Sequence, residues 1–364
     1  MNRLQALRDA GVSIWLDTLS RELLDSGDFA ALIADFAVSG ATSNPTIFAK
    51  AITTSDLYDD ELRIAGSRSS QERFFAIALE DVGRAADLLR PVYEASGGRD
   101  GLVSFECTPD LADDTHATIE QALDLWSRLA RSNVMIKVPA TAAGIPAIEE
   151  LTARGVNVNI TLLFSVGRYE EVIDAYVAGL ERRVAAGDPV DAIASVASFF
   201  VSRVDAKVDA LLPAGSRLRG RAAIANAQRA YGRYRARFDD DRWSALRAAG
   251  AHPQRPLWAS TGTKDPVYSD VVYVEQLIAP GVINTMPLAT LRAFADHGQA
   301  TRTLAESPGA AEQILRDVGA AGIDVEAIAA DLEREGVQAF CASYRELLTC
   351  IDGRLAALVP GPTS

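Results

Sequence analysis

The chain has 364 residues, 48% of them hydrophobic, and its formal net charge at pH 7 is −13. This length and composition suit one large α/β domain or two ordinary domains, and the acidic balance argues against nucleic acid or an anionic membrane as a partner. No apolar run is long enough for a membrane span and the three cysteines show no close pairing, so we expect a cytoplasmic protein without a disulfide framework.

Short apolar runs alternate with helical segments along most of the chain. These runs predict strands at 12–17, 40–43, 102–106, 133–138, 156–161, 192–198, 257–261 and 281–284. Composition and spacing predict helices at 70–95, 116–130, 141–153, 166–185, 200–212 and 217–248. Strands that alternate with helices imply parallel pairing, and eight is the number of strands that closes a (β/α)8 barrel.

The C-terminal part of the chain extends beyond the eighth predicted strand. Segment 308–351 predicts an additional helical region packed outside the barrel, and residues 359–364 predict a frayed tail. No linker or internal repeat divides the chain. The expected fold class is therefore α/β, with one (β/α)8 TIM-type barrel domain over 1–358 that carries extra helices, notably at the C-terminus.

Several predicted strands alternate between polar and apolar residues, although parallel strands covered on both faces are normally apolar throughout. In the fifth strand, Asn157, Asn159 and Thr161 share one face. The equivalent faces of three other strands carry Ser13, Trp15 and Asp17, then Ser104 and Glu106, then Met135 and Lys137. Because the apolar face of each strand must meet the helices, the faces that carry the polar residues are expected to point into the barrel.

Five of these inward residues lie near the carboxyl ends of their strands, where such barrels hold their active sites. They are Asp17, Glu106, Lys137, Asn159 and Thr161. Any one of them alone could be a strand-end cap bonded to a loop. Five residues from four strands at one mouth predict a catalytic site.

Lys137 is one of four lysines in the chain and stands inside an apolar strand. Burial favours the neutral amine, which is a nucleophile that can form a Schiff base with a carbonyl. The alternatives are a side chain that reaches solvent from the strand end, or one paired with a carboxylate. Schiff-base chemistry needs a proton shuttle and a base for carbon–carbon cleavage, tasks that Asp17 and Glu106 could divide. Together with asparagines that can hold sugar hydroxyls, this set predicts class I aldolase-type chemistry.

The histidines and two cations near the strand ends restrict the classes of mechanism and substrate that fit the sequence. The three histidines are scattered without metal-ligand spacing, which disfavours a metal-dependent aldolase and a histidine-based triad, and no glycine-rich nucleotide motif is present. Arg203 follows the sixth predicted strand and Lys264 follows the seventh. On an acidic chain this cation pair suits an anionic substrate such as a sugar phosphate, the alternative being two solvated helix ends.

Six segments resemble, in order, the signatures of the transaldolase family. They are WLDT at 15–18, TSNPTIF at 42–48, SFE at 104–106, IKVPAT at 136–141, NVNITLLF at 157–164 and SFFVSR at 198–203. The resemblance implies a cofactor-free, metal-independent enzyme of the pentose phosphate pathway. Such an enzyme moves a dihydroxyacetone unit from sedoheptulose 7-phosphate (or fructose 6-phosphate) to glyceraldehyde 3-phosphate (or erythrose 4-phosphate).

The same resemblance implies a role for each catalytic residue. Lys137 would carry the Schiff base, and Asp17 would remove the proton from the hydroxyl whose deprotonation breaks the carbon–carbon bond. Glu106 with Thr161 would position a water for proton transfer while the Schiff base forms.

Substrate-binding roles are also implied by the resemblance. Asn44 and Asn159 would hold the retained three-carbon unit, and Ser198 and Arg203 would bind phosphate. Many transaldolases follow the seventh strand with an Ala-Ser-Phe-Arg type of segment that supplies a second phosphate arginine. Here the cation after that strand is Lys264, further along the loop, which suggests a distinct subgroup because lysine is a point charge where arginine is a fork.

Two other functions stay open. A hydrolytic aldolase of the same superfamily, such as fructose 6-phosphate aldolase, would release free dihydroxyacetone; that enzyme is much shorter and uses tyrosine where Glu106 stands. A non-catalytic sugar-phosphate-binding barrel is the alternative from another class, disfavoured because the catalytic set is complete. The expected partners are small sugar phosphates, without nucleic acid or membrane, and the sequence is compatible with a homodimer.

Overall fold

A computed structural model of the protein describes residues 2–64, 69–304 and 308–358. Eight parallel strands form a closed barrel in which the strands are neighbours in chain order. They are β1 (Ser13–Leu16), β2 (Val38–Thr42), β3 (Leu102–Glu106), β4 (Val134–Pro139), β5 (Val158–Leu163), β6 (Ser195–Phe200), β7 (Arg255–Ala259) and β8 (Ile283–Met286). The predicted (β/α)8 barrel is confirmed.

Helices surround this barrel and extend it. They are α1 (Arg3–Asp9), α2 (Arg21–Asp25), α3 (Asp28–Asp35), α4 (Pro45–Thr54), α5 (Asp59–Ile64), α6 (Ser70–Ala95), α7 (Thr115–Leu129), α8 (Gly144–Ala153), α9 (Val166–Ala186), α10 (Ser202–Leu211), α11 (Ala222–Arg237), α12 (Asp241–Ala248), α13 (Val272–Glu275), α14 (Leu288–His297), α15 (Pro308–Ala320) and α16 (Val325–Leu358). In the described part of the chain, none of them combines the length and apolar character that crossing a membrane requires. The predicted tail at 359–364 lies outside the described residues.

The predicted bounds of several strands need correction. β2 begins two residues before the predicted 40–43, β5 begins two residues after the start of the predicted 156–161, and β6 begins three residues after the start of the predicted 192–198. The predicted strands 257–261 and 281–284 are each displaced by two residues from β7 and β8. Ser260 has φ 55° and Gly281 has φ 84°, and neither value belongs to an extended strand. β7 therefore ends before Ser260, and β8 begins after Gly281.

Two predicted helical segments are each divided in the structure. Segment 217–248 contains α11 and α12, with Asp240 capping α12 by accepting a hydrogen bond from the Trp243 N–H at 2.8 Å. Segment 308–351 contains α15 and α16, and Gly322 between them has φ 83°, a conformation that favours glycine and ends a helix.

The last helix, α16, packs on the carboxyl end of the barrel. A Cβ added at Gly336 would lie 2.8 Å from Leu162 Cδ2 at the end of β5, so the α16 backbone packs directly against the Leu162 side chain. Lys207 on α10 pairs with Glu335 at 2.6 Å. The predicted C-terminal helical addition is therefore present, and it forms part of the wall around the mouth.

Substitution of Gly40 tests how tightly the barrel interior is packed. A Cβ at this β2 position would lie 2.4 Å from Trp15 Cε2. Trp15 is fully buried and its indole N–H donates to Asp100 at 2.8 Å, so the ring has little freedom to move. We expect Gly40→Ala to lower the free energy of unfolding by about 2 kcal/mol, as overpacking does, measured by urea denaturation.

Gly215→Ala is the control for this prediction, because nothing lies within 4 Å of a Cβ at Gly215. We expect its stability to stay close to that of the wild type. Equal stability of the Gly40 and Gly215 variants would contradict the tight contact between β2 and Trp15.

Candidate active site

Lys137 and Glu106 form a buried pair inside the barrel. The two residues are opposite one another in the register of β3 and β4, and Nζ of Lys137 lies 3.3 Å from Oε2 of Glu106. Nζ also donates to the backbone carbonyl of Ser43 at 3.1 Å. The exposed fractions of Lys137 and Glu106 are 5% and 7%. The lysine is thus paired with a carboxylate, as one alternative held, and the pair lies at the mouth where strand-end residues converge.

The strand around Lys137 explains this placement. Val134, Ile136 and Val138 alternate with it and are fully buried against the helices, which turns Lys137 toward the barrel axis. Pro139 ends β4, since proline has no N–H to continue the ladder.

Asp17 stands directly after β1 and is held by a threonine. Its Oδ1 accepts a hydrogen bond from Thr42 Oγ1 at 2.9 Å, and Thr42 Oγ1 lies 2.8 Å from Thr285 Oγ1. Neither threonine is among the site residues predicted from the sequence. Thr42 stands in a family-like motif without an assigned role, and Thr285 lies just beyond the predicted end of β8, although its register with Trp15 places it on the inward face.

The electrostatics of Asp17 depend on burial and on three cations. Burial raises the pKa of the Asp17 carboxyl, and the positive charge of Lys137 is the largest influence against that rise. The hydrogen bond from Thr42 and the charges of Lys264 and Arg203 also lower this pKa. Lys264 and Arg203 therefore lie close enough to Asp17 for their charges to act on its pKa.

The pKa of Glu106 is also set by opposing influences. Burial raises its pKa, the charge and hydrogen bond of Lys137 lower it, and the charge of Asp17 raises it again. Two carboxyl groups thus share one lysine in a water-poor site, an arrangement that suits groups exchanging protons near neutral pH.

Asn159 is fixed in the layer beside Lys137. The two residues are in register across β4 and β5. The Asn159 amide nitrogen donates to Ser104 Oγ at 2.9 Å, and its oxygen accepts from Ser198 Oγ at 2.7 Å. Ser198 is only 2% exposed, so the structure places it deep in the barrel, on Asn159.

Thr161 offers a hydroxyl that the chain does not satisfy. It is fully buried, and within the described residues its Oγ1 has no hydrogen-bond partner. The next residue, Leu162, has φ 59°, and the register of β5 with β6 shifts between Ile160 and Leu163. A buried hydroxyl of this kind is a candidate position for a bound water or a substrate oxygen.

Asn44 caps α4 at the edge of the same mouth. Its Oδ1 accepts from the Ile47 N–H at 3.0 Å, and in the described ranges its amide nitrogen has no acceptor. Asn44 lines a small cavity together with Glu106 and Tyr344. Tyr344 comes from α16, and no sequence pattern linked it to residues so far away in the chain.

Arg203 and Lys264 are cations near the mouth that have no polar partner in the described part of the chain. Neither makes a hydrogen bond or ion pair with any other described residue, although the Arg203 guanidinium lies 5.6 Å from the Phe200 ring centroid. Burial lowers the pKa of Arg203, and the charges of Asp17 and Glu335 oppose that shift. Both cations are free to bind an anion.

Across residues 2–64, 69–304 and 308–358, no group of three or more His, Cys, Asp or Glu side chains is placed to hold a metal ion.

The chain is similar to known proteins over almost its whole length. A family model described as Transaldolase/Fructose-6-phosphate aldolase matches residues 14–351. The chain is similar to a transaldolase of Saccharopolyspora erythraea, with 51% identity over 364 residues that cover 97% of this chain and 98% of the relative. Transaldolases of Frankia alni and Thermobifida fusca are 49% and 50% identical over 362 residues, again covering 97% of this chain and 98% of each relative. The matched region extends into α16.

Proposed function

The chain belongs to the transaldolase/fructose-6-phosphate aldolase family, and on that premise we propose that it transfers a dihydroxyacetone unit between sugar phosphates through a Schiff base on Lys137. The observation that carries the proposal is the buried amine of Lys137, 3.3 Å from Glu106 and close enough to Asp17 to act on its pKa. The enzyme is a transferase.

The first stage is formation of the Schiff base. Lys137 as the neutral amine attacks the ketone carbon of the donor sugar, and the resulting carbinolamine loses water. This sequence needs a group that takes a proton from nitrogen and returns one to the departing hydroxyl. Glu106 is in contact with Nζ and serves as that group, with the unsatisfied Thr161 hydroxyl holding the water that carries the proton.

The second stage is cleavage. Asp17 takes the proton from the donor hydroxyl next to the scissile bond, the bond breaks, and an aldose leaves. The electron pair passes into the protonated Schiff base, which leaves a three-carbon enamine on Lys137. Addition of this enamine to an acceptor aldehyde reverses these steps. Burial raises the pKa of Asp17, which brings the carboxylate closer to the basicity that this proton transfer requires.

Asn44 and Asn159 hold the retained three-carbon unit in this proposal. The free amide nitrogen of Asn44 supports a donor role at the edge of the cavity. Ser198 has its hydroxyl on Asn159 and is almost fully buried, which favours a role in orienting Asn159 rather than contact with a phosphate at the rim. Phosphate binding then rests on Arg203 and Lys264, whose charges find no partner within the described chain.

Transfer and hydrolysis differ in the fate of the three-carbon enamine after cleavage. The length of the chain and Glu106 in place of tyrosine favour transfer over release of free dihydroxyacetone. A binding-only barrel is disfavoured by the contact between Lys137 and Glu106. The single domain over 1–358, the cytoplasmic location and a homodimer stay predictions.

The test compares the products from fructose 6-phosphate with and without erythrose 4-phosphate. We expect sedoheptulose 7-phosphate and glyceraldehyde 3-phosphate to form only when the acceptor is present, with little free dihydroxyacetone in its absence. Release of dihydroxyacetone at the same rate in both reactions would identify a hydrolytic aldolase. Binding of fructose 6-phosphate without any product would identify a non-catalytic barrel.

A further inference from the structure

A cation pair holds one phosphate well only if its two charges stay at a fixed separation. Arg203 is the second residue of α10, whereas Lys264 stands in the loop between β7 and α13, residues 260–271, which we call the β7 loop. Lys264 is exposed, and its ammonium has no polar partner among the described residues. Its position therefore depends on how the β7 loop is held.

The β7 loop is tied to α10 near both of its ends. At the start, the hydroxyls of Ser260 and Ser202 lie 2.9 Å apart. Near the end, the Tyr268 hydroxyl donates to Asp209 Oδ2 at 2.7 Å. Lys264 lies between these two points.

A second tyrosine–aspartate bond lies just after the loop. The Tyr273 hydroxyl on α13 donates to Asp205 Oδ2 at 2.9 Å. Asp205 and Asp209 are 1% and 5% exposed, and buried carboxylates require hydrogen-bond donors of this kind. Two buried acids of α10 thus hold the segment after β7.

The two acids act from the side of α10 away from the site. Asp205 and Asp209 are four residues apart and share one face of the helix. Arg203 precedes Asp205 by two residues, which places it roughly 200° around the helix from Asp205. The acids can therefore tether the loop without bringing negative charge beside the anion that Arg203 would bind.

Tyr268 is itself fixed by Gly220. A Cβ added at Gly220 would lie 2.8 Å from Tyr268 Cζ, and Gly220 has φ 68°, a conformation that favours glycine. The Gly220 N–H also donates to Asp209 Oδ1 at 3.0 Å. Ring packing and hydrogen bonding thus direct the phenol at one acceptor.

We propose that Tyr268 and Asp209 are positioning residues for phosphate recognition: their hydrogen bond holds the β7 loop on α10 so that Lys264 and Arg203 face the same substrate phosphate. The Tyr273–Asp205 bond is the second tether of this segment. Neither tyrosine contacts substrate, and Tyr268 acts through Lys264. This inference rests on the proposed function, because it requires a phosphorylated substrate.

The test is Tyr268→Phe, which keeps the ring on Gly220 and removes only the hydroxyl. We expect KM for erythrose 4-phosphate to rise about 3- to 10-fold, the effect of one lost hydrogen bond, with kcat within about twofold. KM for unphosphorylated D-erythrose is expected to stay unchanged. In a Lys264→Met background, Tyr268→Phe should raise this KM no further, since both changes remove the same interaction between Lys264 and the phosphate.

Tyr176→Phe is the matched control, because the Tyr176 hydroxyl donates to the His252 carbonyl at 2.8 Å, away from the β7 loop. It is expected to leave both KM values unchanged. Equal changes in KM for the two acceptors, or additive effects of Tyr268→Phe and Lys264→Met, would overturn the inference.

Titration calorimetry with inorganic phosphate gives a readout that needs no turnover. We expect Tyr268→Phe to weaken phosphate binding by the same factor as it raises KM. If the wild type binds phosphate in this way but transfers nothing, the proposed function fails and the positioning role stands. If the wild type does not bind phosphate, or the variant binds it equally well, the positioning role is overturned.

Discussion

Replacing Lys137 with methionine is expected to lower kcat for dihydroxyacetone transfer by at least about 10⁴-fold, as removal of a covalent nucleophile does. Methionine has a similar length and suits the apolar strand, but it has no amine to attack the ketone. Borohydride reduction in the presence of fructose 6-phosphate should trap a three-carbon adduct on Lys137 of the wild type and none in the variant. Peptide mass mapping locates the adduct.

The variant also leaves Glu106 without its cation. The charge and hydrogen bond of Lys137 lower the pKa of Glu106, so their loss lets burial raise that pKa further and favours the protonated acid. Circular dichroism and urea denaturation show whether the variant is folded. Lys50→Met is the control, since Lys50 is exposed on α4, and it should keep wild-type turnover. An adduct on Lys50, Lys207 or Lys264 of the wild type would contradict the mechanism.

Replacing Asp17 with asparagine is expected to block cleavage while leaving Schiff-base formation intact. The amide keeps an oxygen to accept the Thr42 hydrogen bond but cannot take a proton from the donor hydroxyl. We expect kcat to fall by about 10³-fold or more, within the range for loss of a general base. Borohydride should then trap the intact six-carbon sugar on Lys137, where the wild type yields the three-carbon adduct.

The size of the trapped adduct makes this prediction specific. Asp28→Asn, at an exposed carboxylate in the first turn of α3, is expected to give the three-carbon adduct and wild-type turnover. A three-carbon adduct from the Asp17 variant at the wild-type rate would assign the base to another group. Loss of all adducts from a folded variant would instead place Asp17 in Schiff-base formation.

Local sequence patterns were sufficient to predict the barrel and the position of some of the site residues. Alternation with a period of two residues directed Lys137 and Glu106 inward, because apolar neighbours on the same strand had to meet the helices. Parallel strands in a barrel all end at one face, so the order of the elements alone brought these side chains to one mouth. Their opposition in the register of β3 and β4 is then a consequence of the fold.

Features at strand ends were less predictable. The predicted strand 281–284 stops before Thr285, whereas β8 is Ile283–Met286 and excludes Gly281, whose φ is 84°. The resemblance to transaldolases implies a phosphate role for Ser198, which stays a prediction, and only the structure showed that its hydroxyl donates to Asn159 Oδ1 at 2.7 Å. One residue of register decides whether a side chain faces the mouth or the helices, and composition does not specify that register.

By itself, the sequence determined the eight-stranded barrel and the inward direction of Asp17, Glu106 and Lys137, because strand periodicity and parallel topology are local rules. Only the tertiary structure decided that α16 forms a wall of the mouth and that Tyr268 holds the β7 loop on Asp209. Those contacts join residues far apart in the chain, such as Leu162 with Gly336. Which helix faces meet depends on how all side chains fill the space between elements, and no short pattern in the sequence encodes that choice.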